Sequence, residues 1–191
     1  MSFPLRQLVS EALTMPQAAA KRLFGLDIRR AHVFEAALFV SSIAAITQSL
    51  YVGILSRSGT AEAAALSFNP LTNLTVLLGQ IILVAVLVHV VGRLFGGTGD
   101  FDGALKLSTL LSFISVFWSL SFAIALVLLP PVFMLLVALA LGWTVWAYGH
   151  FIAQLHGFSS WWRVMGVAFG LIFVLSFVFL LVTGQGQAIS V

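Results

Sequence analysis

With 191 residues, 61% of them hydrophobic, only 8% charged and a mean hydropathy of +1.12, the chain lacks the roughly 25% charged residues of an average soluble domain and reads as an integral membrane protein. The absence of cysteine excludes disulfides, thiolate metal sites and cysteine nucleophiles. A net charge of +3 on so apolar a chain bears on orientation and on anionic lipid, not on nucleic acid.

Residues 4–13 place Leu5, Leu8, Val9, Ala12 and Leu13 on one helical face and Arg6, Gln7, Ser10 and Glu11 opposite, the pattern of an amphipathic helix. Pro16 restarts a second short helix, PQAAAKRLF, which Gly25 is expected to close as a left-handed cap. Lys21, Arg22, Arg29 and Arg30 bracket its apolar residues. Two readings follow: a helix lying on an anionic membrane surface, or one packed on the protein's own cytoplasmic face. The first long apolar run starts near Ala31, after five basic residues and with no small-residue cleavage pattern, so no removable signal peptide is expected.

Apolar runs of roughly 20 residues are long enough to cross a ~30 Å hydrocarbon core as helices, and the strict alternation of barrel strands is absent. The expected fold is therefore all-α, with a lead at residues 1–30 and a membrane domain at 31–191. Its five spans fall at about 31–55, 71–93, 104–129, 132–154 and 160–183. Asp27 can cap the first span, in which Glu35 is the only acid and lies near the interface. Pro130 and Pro131 should break the third span at once and leave a very tight hairpin. Eight of the nine basic residues fall at the N-terminus or in or beside the two polar reversals FGGTGDFDGALK and LHGFSSWWR, Arg93 lying just before the first; Arg57 alone lies on the other side. This segregation predicts a cytoplasmic N-terminus, two cytoplasmic loops and a periplasmic C-terminus.

An internal echo is present. In His89-VVGRL-Phe95-Gly96 and His150-FIAQL-His156-Gly157, a His is followed by a Leu and then by a Gly at the same spacings, and each copy ends a span before a polar loop. Spans two and three would be one hairpin, spans four and five a parallel copy.

Chemistry-bearing residues are sparse. His89 and His150, about one turn inside the boundary, allow a metal, quinone or proton site, but no third ligand accompanies them, which favours bonds to nearby loop or backbone groups. His156 is expected in the loop and in water. Asp100 and Asp102, on a turn with Gly96, Gly97 and Gly99, are expected to cap the following helix; their spacing is not that of a calcium loop, and GGTG lacks the strand and Lys-Ser/Thr of a phosphate cradle. Trp161, Trp162 and Arg163 fit an interfacial anchor, and Gly157 a turn. Gly79, Ala85, Gly142, Ala147, Gly166 and Gly170 are small enough to let helices approach. No catalytic pair, cofactor motif or metal set is apparent.

Together these features resemble the YIP family of membrane proteins, whose eukaryotic members interact with Ypt/Rab GTPases. The resemblance rests on the five-span plan, on GGTGDFDGALKL and LHGFSSWWRVMG in the two polar reversals, and on the short LTMPQAAAKRLF lead. It implies an inner-membrane protein without enzymatic activity, and the lead of about thirty residues is similar to the bacterial branch. Leu110-Leu111-Ser112 stands where many relatives have a Tyr and a Pro, so a GTPase-binding role is not carried over. The expectation is a non-enzymatic adaptor or membrane organiser that meets anionic lipid, and a membrane-protein partner, through Gly96, Gly97, Gly99, Asp100, Asp102, His156, Gly157 and Arg163. The alternative is a small transporter or lipid-translocating protein using the interface between the two hairpins, with Glu35, His89 and His150 as its intramembrane polar groups. Against it stands thin mid-span polarity: Thr47, Gln48, Gln80, Ser112, Ser115, Ser119, Ser121, Thr144 and Ser176.

Overall fold

A computed structural model describes residues 5–57 and 69–184, and every regular element among them is a helix. The lead forms α1 (Leu5–Thr14) and α2 (Pro16–Phe24). The long helices are α3 (Arg30–Arg57), α4 (Pro70–Leu94), α5 (Phe101–Leu128), α6 (Pro130–His156) and α7 (Trp161–Gly184). Four of them, α3 over Arg30–Leu50 and α4, α5 and α6 over their full lengths, are long and apolar enough to cross a membrane. The fifth expected span corresponds to α7, whose side chains beyond Phe177 lie outside the described residues.

The helix boundaries follow from local chemistry. Asn69 caps α4 by accepting the Leu71 N–H at 3.0 Å, with Pro70 in the first turn, where its missing N–H costs nothing. Between α5 and α6 only Leu129 is non-helical, and Pro130 and Pro131 open α6 as the tight hairpin requires. Two expected caps differ. Gly25 is right-handed (φ −75°), so α2 ends without a left-handed glycine. Asp27 sits three residues before α3 and makes no hydrogen bond to it among the described residues; the first N–H groups of that helix, at His32 and Val33, go to the Arg29 carbonyl instead.

Between membrane helices the hydrophobic effect provides no drive, so close packing and small residues decide which helices meet. α5 is the hub, touching α3, α4, α6 and α2. One of its faces (Leu107, Leu111, Ile114) packs with the lead and α6; another (Ala104, Leu105, Val116) packs with α3 and α4. α7 packs chiefly against α6 at the edge of the bundle, so the two hairpins have different surroundings. Ala85 and Ala147 are fully buried at helix contacts, as their size allows. Gly79, Gly142, Gly166 and Gly170 are not at such contacts: a methyl group on any of them would meet nothing within 4 Å. The spacing of Gly166 and Gly170 is thus unused within the described chain.

The lead is docked rather than free. Leu8, Ala12, Ala19, Ala20 and Leu23 are buried with Leu107, Leu110, Ile114, Ala147 and Phe151, so α1 and α2 lie in the groove between α5 and α6. The apolar stripe of α1 is only half used, since Leu5 and Leu13 stay 42% and 41% exposed. A bidentate Arg22–Glu11 pair, at 2.8 and 2.9 Å, joins the two short helices.

Two outcomes follow. Ala147→Leu overfills the α2–α6 contact and should cost about 1–3 kcal/mol in thermal unfolding, whereas Gly166→Leu, in open space, should cost far less. In the Glu11–Arg22 pair, the hydrogen bond from Arg22 holds the Glu11 carboxyl below the ordinary carboxylate range. A depressed carboxylate stabilises above its unfolded pKa of about 4.3 and loses that contribution as pH falls through the lower folded value. Protease protection of the lead should therefore be flat from neutral pH down to about 5 and fall in more acid solution. In Glu11→Gln it should already be weaker at neutral pH and show no such fall.

Candidate functional site

The two polar reversals meet at one end of the bundle, here termed the loop end, and the His156 side chain hydrogen-bonds across to the first of them. His156 is not in a loop and not in water: it is the last residue of α6 and 2% exposed. Its Nδ1 accepts the Gly99 N–H at 3.2 Å, and its Nε2 lies 3.1 Å from the Val88 carbonyl. That combination demands the neutral ring protonated at Nε2, which donates to Val88 while Nδ1 accepts. A third bond runs from the Thr98 N–H to the His156 carbonyl at 3.3 Å. The end of α6 is thereby tied to both the last turns of α4 and the α4–α5 turn.

The glycines make this insertion possible. A Cβ on Gly92 or Gly97 would overlap the His156 ring, and one on Gly99 would come within 2.7 Å of it. One on Gly103 would overlap the Leu155 side chain. Gly96 and Gly157 serve a different purpose, with φ of +84° and +71°. Each closes its helix in the left-handed manner, the next N–H reaching back to the Gly92 and Ala153 carbonyls at 2.8 and 2.9 Å. The echo thus has identical local geometry at its glycine, while Phe95 and His156, which align, differ: Phe95 is 53% exposed and His156 is buried.

Around this lock lie further ties. Asp100 caps α5 by accepting the Gly103 N–H at 2.9 Å. Asp102, also expected to cap, instead pairs with Arg30, whose guanidinium stands 5.8 Å over the Phe101 ring. Lys106 donates to the Leu26 carbonyl at 2.7 Å, fastening the α2–α3 linker to α5. The sequence showed Arg30 and Lys106 only as basic residues without partners, and gave Gly92 and Gly103 no role. The glycines were visible as a cluster, but flexibility at a turn and room for a neighbour's ring look alike in one sequence.

The remaining expected residues are not brought into one site. His150 meets Gln17 of α2 at 3.2 Å and packs on Trp146 and Trp161. His89 packs edge-on against Phe101, and its buried Nδ1 has no hydrogen-bond partner among the described residues. Glu35 is exposed beside His32 at 3.2 Å, and Arg163 is exposed next to Trp162, itself 68% exposed. Among the described residues no group of three His, Cys, Asp or Glu side chains is placed to hold a metal. Beside the lock is an open cleft of about 490 Å³, whose polar lining comes from Lys21, Thr98, Asp100 and Gln154. Asp100 is already committed to its cap, so the cleft offers hydrogen bonds and one cation but no paired acid and base.

The two ring bonds can be separated. His156→Asn retains an acceptor near the Nδ1 position, so Gly99 stays satisfied; the Val88 carbonyl loses one of its donors. His156→Gln reaches Val88 but leaves the buried Gly99 N–H unpaired, a penalty of about 1–3 kcal/mol. Gln should therefore destabilise more than Asn in thermal unfolding. Gly92→Ala should cost about 2–4 kcal/mol through overlap and bond loss. Gly79→Ala, on an open helix face, should be neutral or stabilise by up to ~1 kcal/mol.

The Yip1 domain model matches residues 11–182, a stretch that takes in the last turn of α1, α2 through α7 but for the last residues of α7, and the whole lock. No curated protein and no solved structure matches the chain significantly. The family match covers the turns, the buried His156 and the membrane helices alike, and on that coverage the chain belongs to the Yip1 domain family of membrane proteins.

Proposed function

We propose that the chain is a non-enzymatic adaptor or organiser of the bacterial inner membrane. It crosses the membrane five times, with the lead and the loop end cytoplasmic and the C-terminus periplasmic. The observation that carries the reading is that both polar turns and the docked lead form one fastened platform, held by His156, Asp102–Arg30 and Lys106–Leu26. A platform of this kind presents a fixed surface, as recognition requires. Arg6, Lys21, Arg29 and Arg163 are exposed, and cations near an anionic leaflet attract it by on the order of 1 kcal/mol each. The matching left-handed glycines at 96 and 157 support a weak repeat of the two hairpins.

The transporter reading is less well supported. Thr47, Ser115, Ser119, Ser121 and Thr144 each donate to a carbonyl of their own helix three or four residues back. These hydroxyls are spent locally.

Topology reporters inserted after residue 99 and fused after Val191 should report opposite sides of the membrane; the same side for both sinks the five-span arrangement. For the adaptor role, photo-crosslinkers at Thr98 and Arg163 in cells should give discrete protein adducts that disappear in Lys21→Glu/Arg29→Glu. Adducts with lipid alone, or none, would refute partner binding.

A further inference from the structure

We propose that the cavity between α1, α3 and α5 holds one acyl chain of an anionic glycerophospholipid from the surrounding bilayer, with the lipid phosphate at Lys106. The proposal rests on the reading that the loop end faces an anionic leaflet. It does not depend on any protein partner.

The cavity is about 310 Å³, at the small end of the ~300–1,000 Å³ typical of ligand sites, a volume suited to part of one chain rather than a whole lipid. Its lining is almost wholly apolar, with Leu5 and Leu8 of α1 as one wall. The polar groups among its lining residues are arranged in order. α3 and α5 both start at the loop end, so depth increases with residue number along each. On α5 the lining runs Lys106, Thr109, Phe113; on α3 it runs His32, Ala36, Phe39. A cation or imidazole comes first, a hydroxyl next, and aromatic and aliphatic groups last. That is the order of phosphate, ester carbonyl and hydrocarbon in a glycerophospholipid. Lys106 and Thr109 are three residues apart, roughly 4.5 Å of helical rise, the scale of the step from a phosphate to its ester carbonyl.

Two observations point to an occupant. The Thr109 hydroxyl is buried, the residue being 7% exposed, and has no hydrogen-bond partner among the described residues, although threonines within helices commonly bond to their own backbone as Thr47 and Thr144 do here. An ester carbonyl would accept from it. Lys106 uses one of its three protons on the Leu26 carbonyl, leaving two for a phosphate. His32 is turned by Nδ1 toward Glu35, and its remaining nitrogen faces no described partner. Ala36 lines the cavity and is exposed, so the space opens sideways to the bilayer, a route by which a chain can enter.

The test uses the full chain, reconstituted with equal parts of phosphatidylglycerol and phosphatidylcholine of identical acyl chains, then extracted in mild detergent and examined by native mass spectrometry. The expected result is one retained phospholipid per chain, predominantly phosphatidylglycerol. Ala36→Phe fills the cavity and should abolish retention, while Ala138→Phe, the same enlargement at an exposed position of α6 outside it, should not. Lys106→Gln should lower the preference for phosphatidylglycerol about fivefold. Thr109→Val, near-isosteric, serves if Ala36→Phe fails to fold: it should raise the melting temperature of delipidated protein and remove the rise that added phosphatidylglycerol gives the wild type. No retained lipid, equal retention of the two lipids, or retention unchanged in Ala36→Phe would each overturn the proposal. An unchanged phosphatidylglycerol response in Thr109→Val would do the same.

Discussion

The loop end depends on one imidazole. His156 can be accepted between α4 and the α4–α5 turn only because three nearby positions, Gly92, Gly97 and Gly99, lack a side chain, and it stays because both ring nitrogens find backbone partners. In a bundle where lipid and protein are equally apolar, burial alone does not choose among helix arrangements. Directional bonds and shape do. Each net hydrogen bond contributes about 0.5–1.5 kcal/mol, yet an unpaired buried N–H at Gly99 costs up to ~3 kcal/mol, so the penalty for misplacing the ring exceeds the gain from any single bond. The lock therefore specifies a register between α6 and the α4–α5 hairpin more than it adds stability.

That register sets what lies around it. With α5 held by its Asp100 cap and α6 by its last residue, the groove between them is fixed, and the small residues Ala19, Ala20 and Ala147 let α2 seat in it. α1 follows through the Arg22–Glu11 pair. The lead thus spends its best apolar residues on the protein and keeps exposed cations, with Leu5 and Leu13, for the surroundings. Of the two readings offered by the sequence, the helix on the bundle accounts for the buried face of both helices, and the exposed cations are what the proposed anionic surface would meet.

Much of the helical layout was legible in advance. The long apolar runs, the prolines at 130 and 131 and the aspartate at 100 have local causes, and local causes survive without tertiary information. What eluded the sequence depends on contacts between distant segments. His156 looked solvated because its neighbours Gly157, Ser159 and Ser160 are polar, yet α6 continues through it and the partner glycines lie about sixty residues earlier. Asp102 looked like a cap because it follows Asp100; its partner Arg30 comes from another helix. The glycines at 79, 142, 166 and 170 looked like packing positions, and the ones that pack most closely among the described residues are 92, 97, 99 and 103. Composition marks a residue as small without saying what, if anything, fills the space it leaves.

The central claim is that a neutral His156 ring bonds across to the Gly99 amide. Nitrogen-15 NMR of the full chain, labelled at histidine and glycine, addresses it directly. The account predicts a His156 ring protonated at Nε2 and bare at Nδ1, with a coupling through the hydrogen bond from the Gly99 N–H and slow exchange of that amide with solvent. A ring protonated at Nδ1, or a Gly99 amide that exchanges as fast as an open loop, would contradict it.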